Sequence, residues 1–407
     1  MKYDSIEKLE SKYGNSFYVL NISSFENNVK DLLQAFRKYY SFTNIGYSYK
    51  TNYIPYLCKK ADGLNAYAEI VSELELRIAQ SINVNPQKII YNGPEKSVES
   101  LEFCLINGSK VNVDNNYELG NIVKIANKHA NRNFEIGIRF NIDLKDNFFS
   151  RFGYDVNSEN FRNALNIINS TKNLNISGVH FHSGRPDRSI ASYLNRLNNL
   201  IAIAKNELGS YDIKYINIGG GFYGRMDENM KSQFDGIITS FEEYGQAIAT
   251  RMREEFPKGD IELILEPGVA LTVDVLHYIA KIYDVRNIQA KNIAICSGSF
   301  FNVKPSGHSK NLTVRVIKKN NNNPVDNIYQ VVGYTCLEND ILCENFTGTL
   351  EAGDYLKFKN VGAYTIVFTP PFIKLAPPII AFDNGEEIVV RQKETFEDIF
   401  RSYFTNH

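Results

Sequence analysis

Residues 213–221 read IKYINIGGG, an apolar, β-branched run that stops on three glycines. A run with so little regular polar alternation suits a strand covered on both faces. The glycines behind it let the backbone turn tightly and bring bare N–H groups close to a ligand. The same shape recurs at KIIYNG (88–93), KVNVD (110–114), FEIGIRFN (134–141), ISGVHFH (176–182) and IELILEPG (261–268), and most of these runs end in Gly, Asn, Asp or His. Between them lie amphipathic stretches: ENNVKDLLQAFRKYY (26–40), SELELRIAQ (72–80), NYELGNIVKIANKHA (116–130), NSENFRNALNIINS (157–170) and a long one from Arg188 to Leu208. Repeated strand–helix alternation predicts a parallel sheet covered by helices. About eight such units over roughly 250 residues make the length of a TIM-type (β/α)8 barrel. A doubly wound open sheet is the alternative that periodicity alone leaves standing.

After Gly268 the texture changes. VRVIKK (314–319), NIYQVVGYTC (327–336), TGTLEAGDYLKFKNVGAY (347–364) and PPIIAFDNGEEIVVRQKE (377–394) read as strands separated by turn signals. They predict a C-terminal antiparallel β-domain, barrel-like or sandwich-like, which the N-terminal FYVLN (17–21) joins. The expected division is a barrel over 25–268 and a β-sheet domain over 1–24 and 269–407. Asn320–Asn323 followed by Pro324 reads as a loop tip.

Composition narrows the function. A net charge of −1 on 407 residues points to no nucleic acid and no anionic membrane as partner. The start, MKYDSIEKLESKYGNS, has no apolar core of a secretory signal, and no run reaches the roughly 18 apolar residues of a membrane span. The five cysteines, Cys58, Cys104, Cys296, Cys336 and Cys343, are scattered and never spaced CxxC. That pattern predicts no disulfide framework, no zinc site and a cytoplasmic protein.

In a barrel, chemistry gathers at the C-terminal ends of the strands. Those ends carry Lys50, Glu69–Ser72, Asn92–Gly93, Asp114, Arg139–Asn141, His180–His182, Gly219–Gly221 and Glu266–Gly268. Read singly, each has a plain alternative. Lys50 in GYSYKTN (46–52) is a solvated strand-edge lysine, Gly219–Gly221 a flexible turn, and Glu266 a strand-end acid before Pro267. His180 and His182 share one strand face, as two metal ligands or two core histidines would. No third ligand has matching spacing, so no metal is expected.

Taken together the motifs carry more. GYSYKTN, AEIVSELEL (68–76), IIYNGPEKS (89–97), VDNNYEL (113–119), SRFGY (150–154), GVHFHSG (178–184), INIGGGF (216–222), LEPG (265–268), GYTCLEND (333–340) and VGAY (361–364) follow one another across the chain. In order and spacing the sequence resembles the decarboxylases of the alanine-racemase-like fold (fold type III) that depend on pyridoxal 5'-phosphate, PLP. These are the relatives of diaminopimelate, ornithine and carboxynorspermidine decarboxylase. The resemblance implies Lys50 as the Schiff-base lysine, Glu266 as partner of the cofactor's ring nitrogen, and His182 against the ring. It implies Gly219, Gly220, Gly221 and Gly268 near the phosphate, with Arg139 and Tyr364 around the cofactor. It implies Cys336 as proton donor to Cα, in a C-x-x-x-D motif with Asp340 that reaches the site from the other subunit of a homodimer.

Departures from the family pattern bear on the substrate. The family's EPGR is EPGV here, with Val269, and HSGRPDRS (182–189) places Arg185 where a serine is usual. Arg185 is therefore expected as a substitute phosphate ligand, as a residue facing substrate, or as a solvated loop arginine. The acid that usually follows the cysteine is Leu337, with Glu338 one place on. In SGSFFNVKPSGH (297–308), Lys304 and His308 stand where a distal carboxylate is read. With Arg185 they suggest an anionic or bulkier distal group, and Lys304, His308, Glu338 and Asp340 are the expected substrate-binding residues. A racemase on the same fold and an inactive homologue acting as a binding partner are the rival readings.

Overall fold

The computed structural model describes residues 2–145, 148–319, 327–383 and 385–403, and the expected loop tip at Asn320–Pro324 lies outside them. The chain forms two compact units. One comprises Glu26–Tyr223 and Ile237–Leu271. The other takes the chain up to Phe25, Gly224–Gly236 and the chain from Thr272 onward. Eighteen strands run through the described residues: β1 (Ser16–Leu20), β2 (Thr43–Ser48), β3 (Tyr67–Ile70), β4 (Ile89–Tyr91), β5 (Lys110–Val113), β6 (Phe134–Asn141), β7 (Tyr154–Asp155), β8 (Leu174–His180), β9 (Tyr215–Asn217), β10 (Glu262–Leu265), β11 (Leu276–Ile288), β12 (Lys291–Cys296), β13 (Val314–Ile317), β14 (Asn327–Val332), β15 (Ile341–Gly348), β16 (Tyr355–Phe358), β17 (Ile379–Asp383) and β18 (Glu386–Arg391).

In the first unit eight parallel strands follow the order β5-β4-β3-β2-β10-β9-β8-β6. The pairing of β5 with β6 closes the ring, so the predicted (β/α)8 barrel forms and the open-sheet alternative does not. The short β7 lies outside the ring, paired with β6. Ile90, Tyr215 and Ile264 fill the interior. Gly137 and Gly178 leave room for the Tyr215 ring, into which any Cβ at either position would run. The outer helices start on side-chain caps that satisfy the first free N–H groups. Ser72, Ser97, Asn115, Ser158 and Ser189 each accept from the backbone three residues on, and Ser240 forms a capping box with Glu243. The stretch expected as one helix from Arg188 to Leu208 is a helix over Ile190–Ala202 that ends in a wider π turn, Ile203–Glu207.

The second unit is a nine-stranded sheet with the path β15-β14-β12-β11-β1-β17-β18, while β16 pairs with both β11 and β13. It is mixed rather than purely antiparallel, because β1 runs parallel to β17 and β12 parallel to β14. Both parallel pairs join strands separated by long segments, as parallel pairing requires. The antiparallel expectation treated neighbours in sequence as neighbours in the sheet. The helix Tyr3–Tyr13 lays Ile6 and Leu9 against Phe17, Val19, Ile279, Tyr355 and Ile380.

Candidate active site

The parallel register sets polar side chains in lateral rows at the strand ends. Arg139 aligns with His180, His180 with Asn217, and Ser48 with Glu69. Residues in register point the same way, so these rows converge.

Lys50 sits in a single helical turn, Tyr49–Thr51, directly behind β2. Its ammonium meets Oε2 of Glu69, whose side chain is fully buried. Oε1 of Glu69 accepts from Asn92 Nδ2 at 2.9 Å. The same nitrogen donates to Glu266 Oε1 at 2.6 Å, and Asn217 Nδ2 donates to that oxygen at 2.7 Å. Glu266 Oε2 is left buried without a hydrogen bond, 3.3 Å from His180 Nε2 but poorly aligned with it. Burial alone would raise the Glu266 pKa; His180, Lys50 and His182 outweigh it and hold the carboxyl well below its usual range. Two contacts tie the end of β2 to this segment: Ser48 Oγ to the Glu266 carbonyl at 3.1 Å, and Ser48 N to the Pro267 carbonyl at 3.4 Å.

His182 accepts from the Gly220 N–H at Nδ1, 3.1 Å away, so its ring proton sits on Nε2. Burial pushes its pKa well below the ordinary histidine value, with Lys50 and Arg139 adding to the effect, and the ring is neutral near pH 7. Gly219 and Gly221 have φ of +71° and +97°, a region that favours glycine. A Cβ on Gly219 would lie 2.5 Å from the Phe181 carbonyl, and one on Gly220 would strike the Glu266 carbonyl. The N–H of Gly219 is held by Asn217 Oδ1 at 2.9 Å and that of Gly220 by His182. Donors for an anion therefore begin at Gly221, a narrower cradle than three free glycines suggested. Gly268 packs against Thr51, beside Lys50, where a Cβ would not fit.

Arg139 donates to Asp114 Oδ1 and to the His182 carbonyl, both at 3.1 Å, and stacks on Phe152. It holds the main chain that carries His182. Arg185 is buried, not a solvated loop arginine. Its guanidinium donates to Ser183 Oγ at 3.0 Å and to the carbonyls of Phe148 at 3.1 Å and Ile142 at 3.5 Å. Those bonds stitch the loop after β6 to the loop after β8, an arrangement that differs from a phosphate ligand. Lys96 and Glu118 form a fully buried ion pair at 2.7 Å, and Lys96 also reaches the carbonyls of Gly93 and Asn112. Glu69, Asn92 and Asp114 are among the strand ends named from the sequence but without a role, and Asn217 and the Lys96–Glu118 pair are not among them. Most stand at the last polar position of an apolar strand, and that position was the available signal.

The remaining expected residues lie in the second unit. Cys336 is the one exposed cysteine on the loop between β14 and β15; the other four are buried. Burial pushes the thiols of Cys104 and Cys296 up to about 12 and that of Cys343 to about 11. Asp340 is buried at the end of the same loop. Its Oδ1 accepts from Ser299 Oγ and Phe300 N, and its Oδ2 from Thr335 N and Thr335 Oγ1, at 2.7–3.1 Å. With both oxygens bonded within the chain, Asp340 shapes the loop. Glu338 is exposed. Lys304 and His308 line one depression of about 220 Å³ with Phe300, Asn339 and Glu344. Tyr364 holds a φ of +57° and stacks on Phe368 with ring centroids 5.9 Å apart. Among the described residues no group of three or more His, Cys, Asp or Glu side chains could hold a metal ion.

The barrel residues fit pyridoxal phosphate. A lysine stands ready to hold its aldehyde carbon, and a buried carboxylate oxygen that makes no hydrogen bond suits a ring N–H. A glycine turn with no space for side chains suits a phosphate. Residues 26–273 match the model of the pyridoxal-dependent decarboxylase family, pyridoxal binding domain. The chain belongs to the pyridoxal-dependent decarboxylases. It is 24% identical to the diaminopimelate decarboxylase of Aquifex aeolicus, over 97% of this chain and 93% of that protein. It is 26% identical to the diaminopimelate decarboxylase of Methanocaldococcus jannaschii, over 98% and 92%. The solved structure of the M. jannaschii decarboxylase in complex with L-lysine matches with a TM-score of 0.85 at 22% identity, covering 98% of this chain and 94% of that one, and shares its fold. The chain is thus a pyridoxal-phosphate-dependent carboxy-lyase. Among the described residues no helix is long and apolar enough to cross a membrane.

Proposed function

We propose that this decarboxylase acts on the α-carboxylate of an amino acid at the strand ends of its barrel, with Lys50, His182, Glu266 and Cys336 in the main roles. The observation that carries the reading is Glu266, with Oε1 gripped by two amides and a buried Oε2 free to meet a ring N–H. Pyridoxal phosphate, when bound, supplies the sink for the electron pair left at Cα as CO2 departs. Glu266 stays anionic and keeps positive charge at the ring nitrogen. Lys50, whose free ammonium pairs with Glu69, is the residue that would hold the cofactor. Neutral His182 packs on the ring without adding charge. Gly221 and the turn behind it, with Gly268, receive the phosphate.

The reading extends to a homodimer in which Cys336 of one subunit serves the site of its partner and gives Cα its proton. Five cysteines without a disulfide suit a reducing, cytoplasmic setting. Lys304 and His308 at one depression favour a substrate whose far end carries a carboxylate. The relatives named diaminopimelate decarboxylase are consistent with such a substrate.

The test is a panel of diaminopimelate, lysine, ornithine, arginine and acidic amino acids, incubated with PLP-loaded enzyme in heavy water and read by mass spectrometry. Loss of CO2 with one deuterium gained at Cα is the expected result. Turnover of only the cationic members would remove the distal-carboxylate reading. Deuterium uptake with the carboxylate retained would point to racemisation and overturn the assignment.

A further inference from the structure

Asn92, in the motif IIYNGPEKS, has no role assigned to it above. It is buried behind β4, with its backbone N–H on the Ile70 carbonyl at 2.8 Å. Its one amide nitrogen serves both carboxylates of the site, Glu69 at 2.9 Å and Glu266 at 2.6 Å. Its oxygen accepts from Asn112 Nδ2 at 2.8 Å, and Asn112 Oδ1 accepts from Tyr215 OH at 2.8 Å. The hydrogen bonds run one way, from the tyrosine through two amides to the two acids. Turning the Asn92 amide over would face its oxygen to both carboxylates and its N–H groups to a donor. The chain of bonds forbids that orientation.

Resting on the reading of the site given above, we infer that Asn92 is a positioning residue: it bridges the carboxylate that guards Lys50 and the carboxylate that faces the cofactor ring, and so sets the two at a fixed separation. Two buried like charges repel strongly in a medium of low polarity. One amide donating to both lessens that repulsion and keeps Glu266 Oε1 turned away, which presents Oε2. The charged and titratable groups around the bridge are Lys50 behind β2, Lys96 behind β4, Arg139 on β6, His180 and His182 at the end of β8, and Tyr215 on β9. Asn92 differs from these six in being a neutral amide, which donates to both acids without adding charge.

The experiment measures PLP binding by equilibrium dialysis to wild-type enzyme, Asn92→Ala and Asn92→Asp, from about pH 6 to about pH 9. Thermal melts of each protein check folding. Asn92→Ala is expected to weaken cofactor binding about tenfold across the range. Asn92→Asp keeps the shape but places a third acid between the other two. Its affinity is expected to fall further at high pH and to recover as pH drops and the introduced carboxyl takes a proton. A residue that only packs would give Asn92→Asp the pH profile of wild type. Wild-type affinity in both variants, or an equal loss for Asn92→Asp at both ends of the range, would overturn the bridge. Should Asn92→Ala not fold, the pH profile of the isosteric variant decides alone. Failure of the wild-type chain to bind PLP would instead overturn the reading of the site, and the bridge with it.

Discussion

Glu69 meets the Lys50 ammonium with one carboxylate oxygen and the Asn92 amide with the other, and no part of it reaches solvent. A buried carboxylate in such a place acts by charge as much as by shape. Glu69→Gln keeps the shape and removes the charge, so Lys50 loses its counter-ion while Asn92 keeps an acceptor. The variant should still bind PLP, and its turnover should fall by about tenfold or more. Cofactor content and kcat measured on one preparation separate the two effects. Unchanged kcat would make the contact a feature of the resting protein only.

Lys96 and Glu118 are both buried and each relieves the other. Burial lowers the Lys96 pKa and raises that of Glu118, which opposes the ionised pair, while their mutual attraction favours it. Removing one partner strands the other. Lys96→Met and Glu118→Leu should therefore each destabilise the protein by about 3–5 kcal/mol, and the double variant Lys96→Met/Glu118→Leu by much less than their sum. Chemical denaturation of all four proteins completes the cycle. Additive losses would mean that the pair does not interact.

Glu75 shows the opposite electrostatics to Glu266. Burial lifts its carboxyl to about 7, although the Val71 N–H donates to its Oε2 at 2.8 Å. The folded protein thus holds a proton on Glu75 that the unfolded chain releases near the ordinary carboxyl value. Between those two points folding binds more protons than unfolding, so rising pH erodes the stability contributed by this residue. Glu75→Gln removes the titration and keeps an acceptor for Val71. Its stability relative to wild type should climb from about pH 4.5 to about pH 7, by up to about 1.4 kcal/mol per pH unit, and then level off. A flat difference across that window would sink the argument.

Asp340 shapes the loop that presents Cys336. Asp340→Ala unties Thr335 from Ser299 and Phe300 at once, and leaves four donors without their acceptor. The loop should loosen: alkylation of Cys336 should become faster, and proteolysis between Thr335 and Ile341 should appear. Turnover is expected to drop while PLP content stays near that of wild type. Alkylation at the wild-type rate would show that the loop holds its form by other means.

The barrel was legible because each of its strands is a short apolar run that stops on a polar residue, a pattern that needs no knowledge of distant partners. Lys50, His182 and Glu266 lie at such strand ends, and the order of the motifs along the chain, not any one end, gave them roles. The bonds between strand ends were not legible in the same way. Asn92 and Glu266 are 174 positions apart, and the closure of the ring decides which amide meets which acid. The burial of Asp340 likewise depends on Ser299, 41 positions away. Arg185 stood open between a phosphate ligand, a substrate contact and a solvated arginine, because the carbonyls that bury it come from the loop after β6. The sheet unit was misread as antiparallel because the parallel neighbour of β1 is almost the last strand made.

That placement of β1 between β11 and β17 carries a cost in time. Leu20 leaves the ribosome about 360 residues before Ile379, roughly 20–70 s at ordinary rates of synthesis. Through that interval one edge of an apolar strand waits for a neighbour that does not yet exist. Every strand of the barrel emerges meanwhile, and each finds its partners within the nascent chain. The first strand to be born is thus among the last to be sheltered on both sides, and the early chain is the stretch most in need of a chaperone's cover.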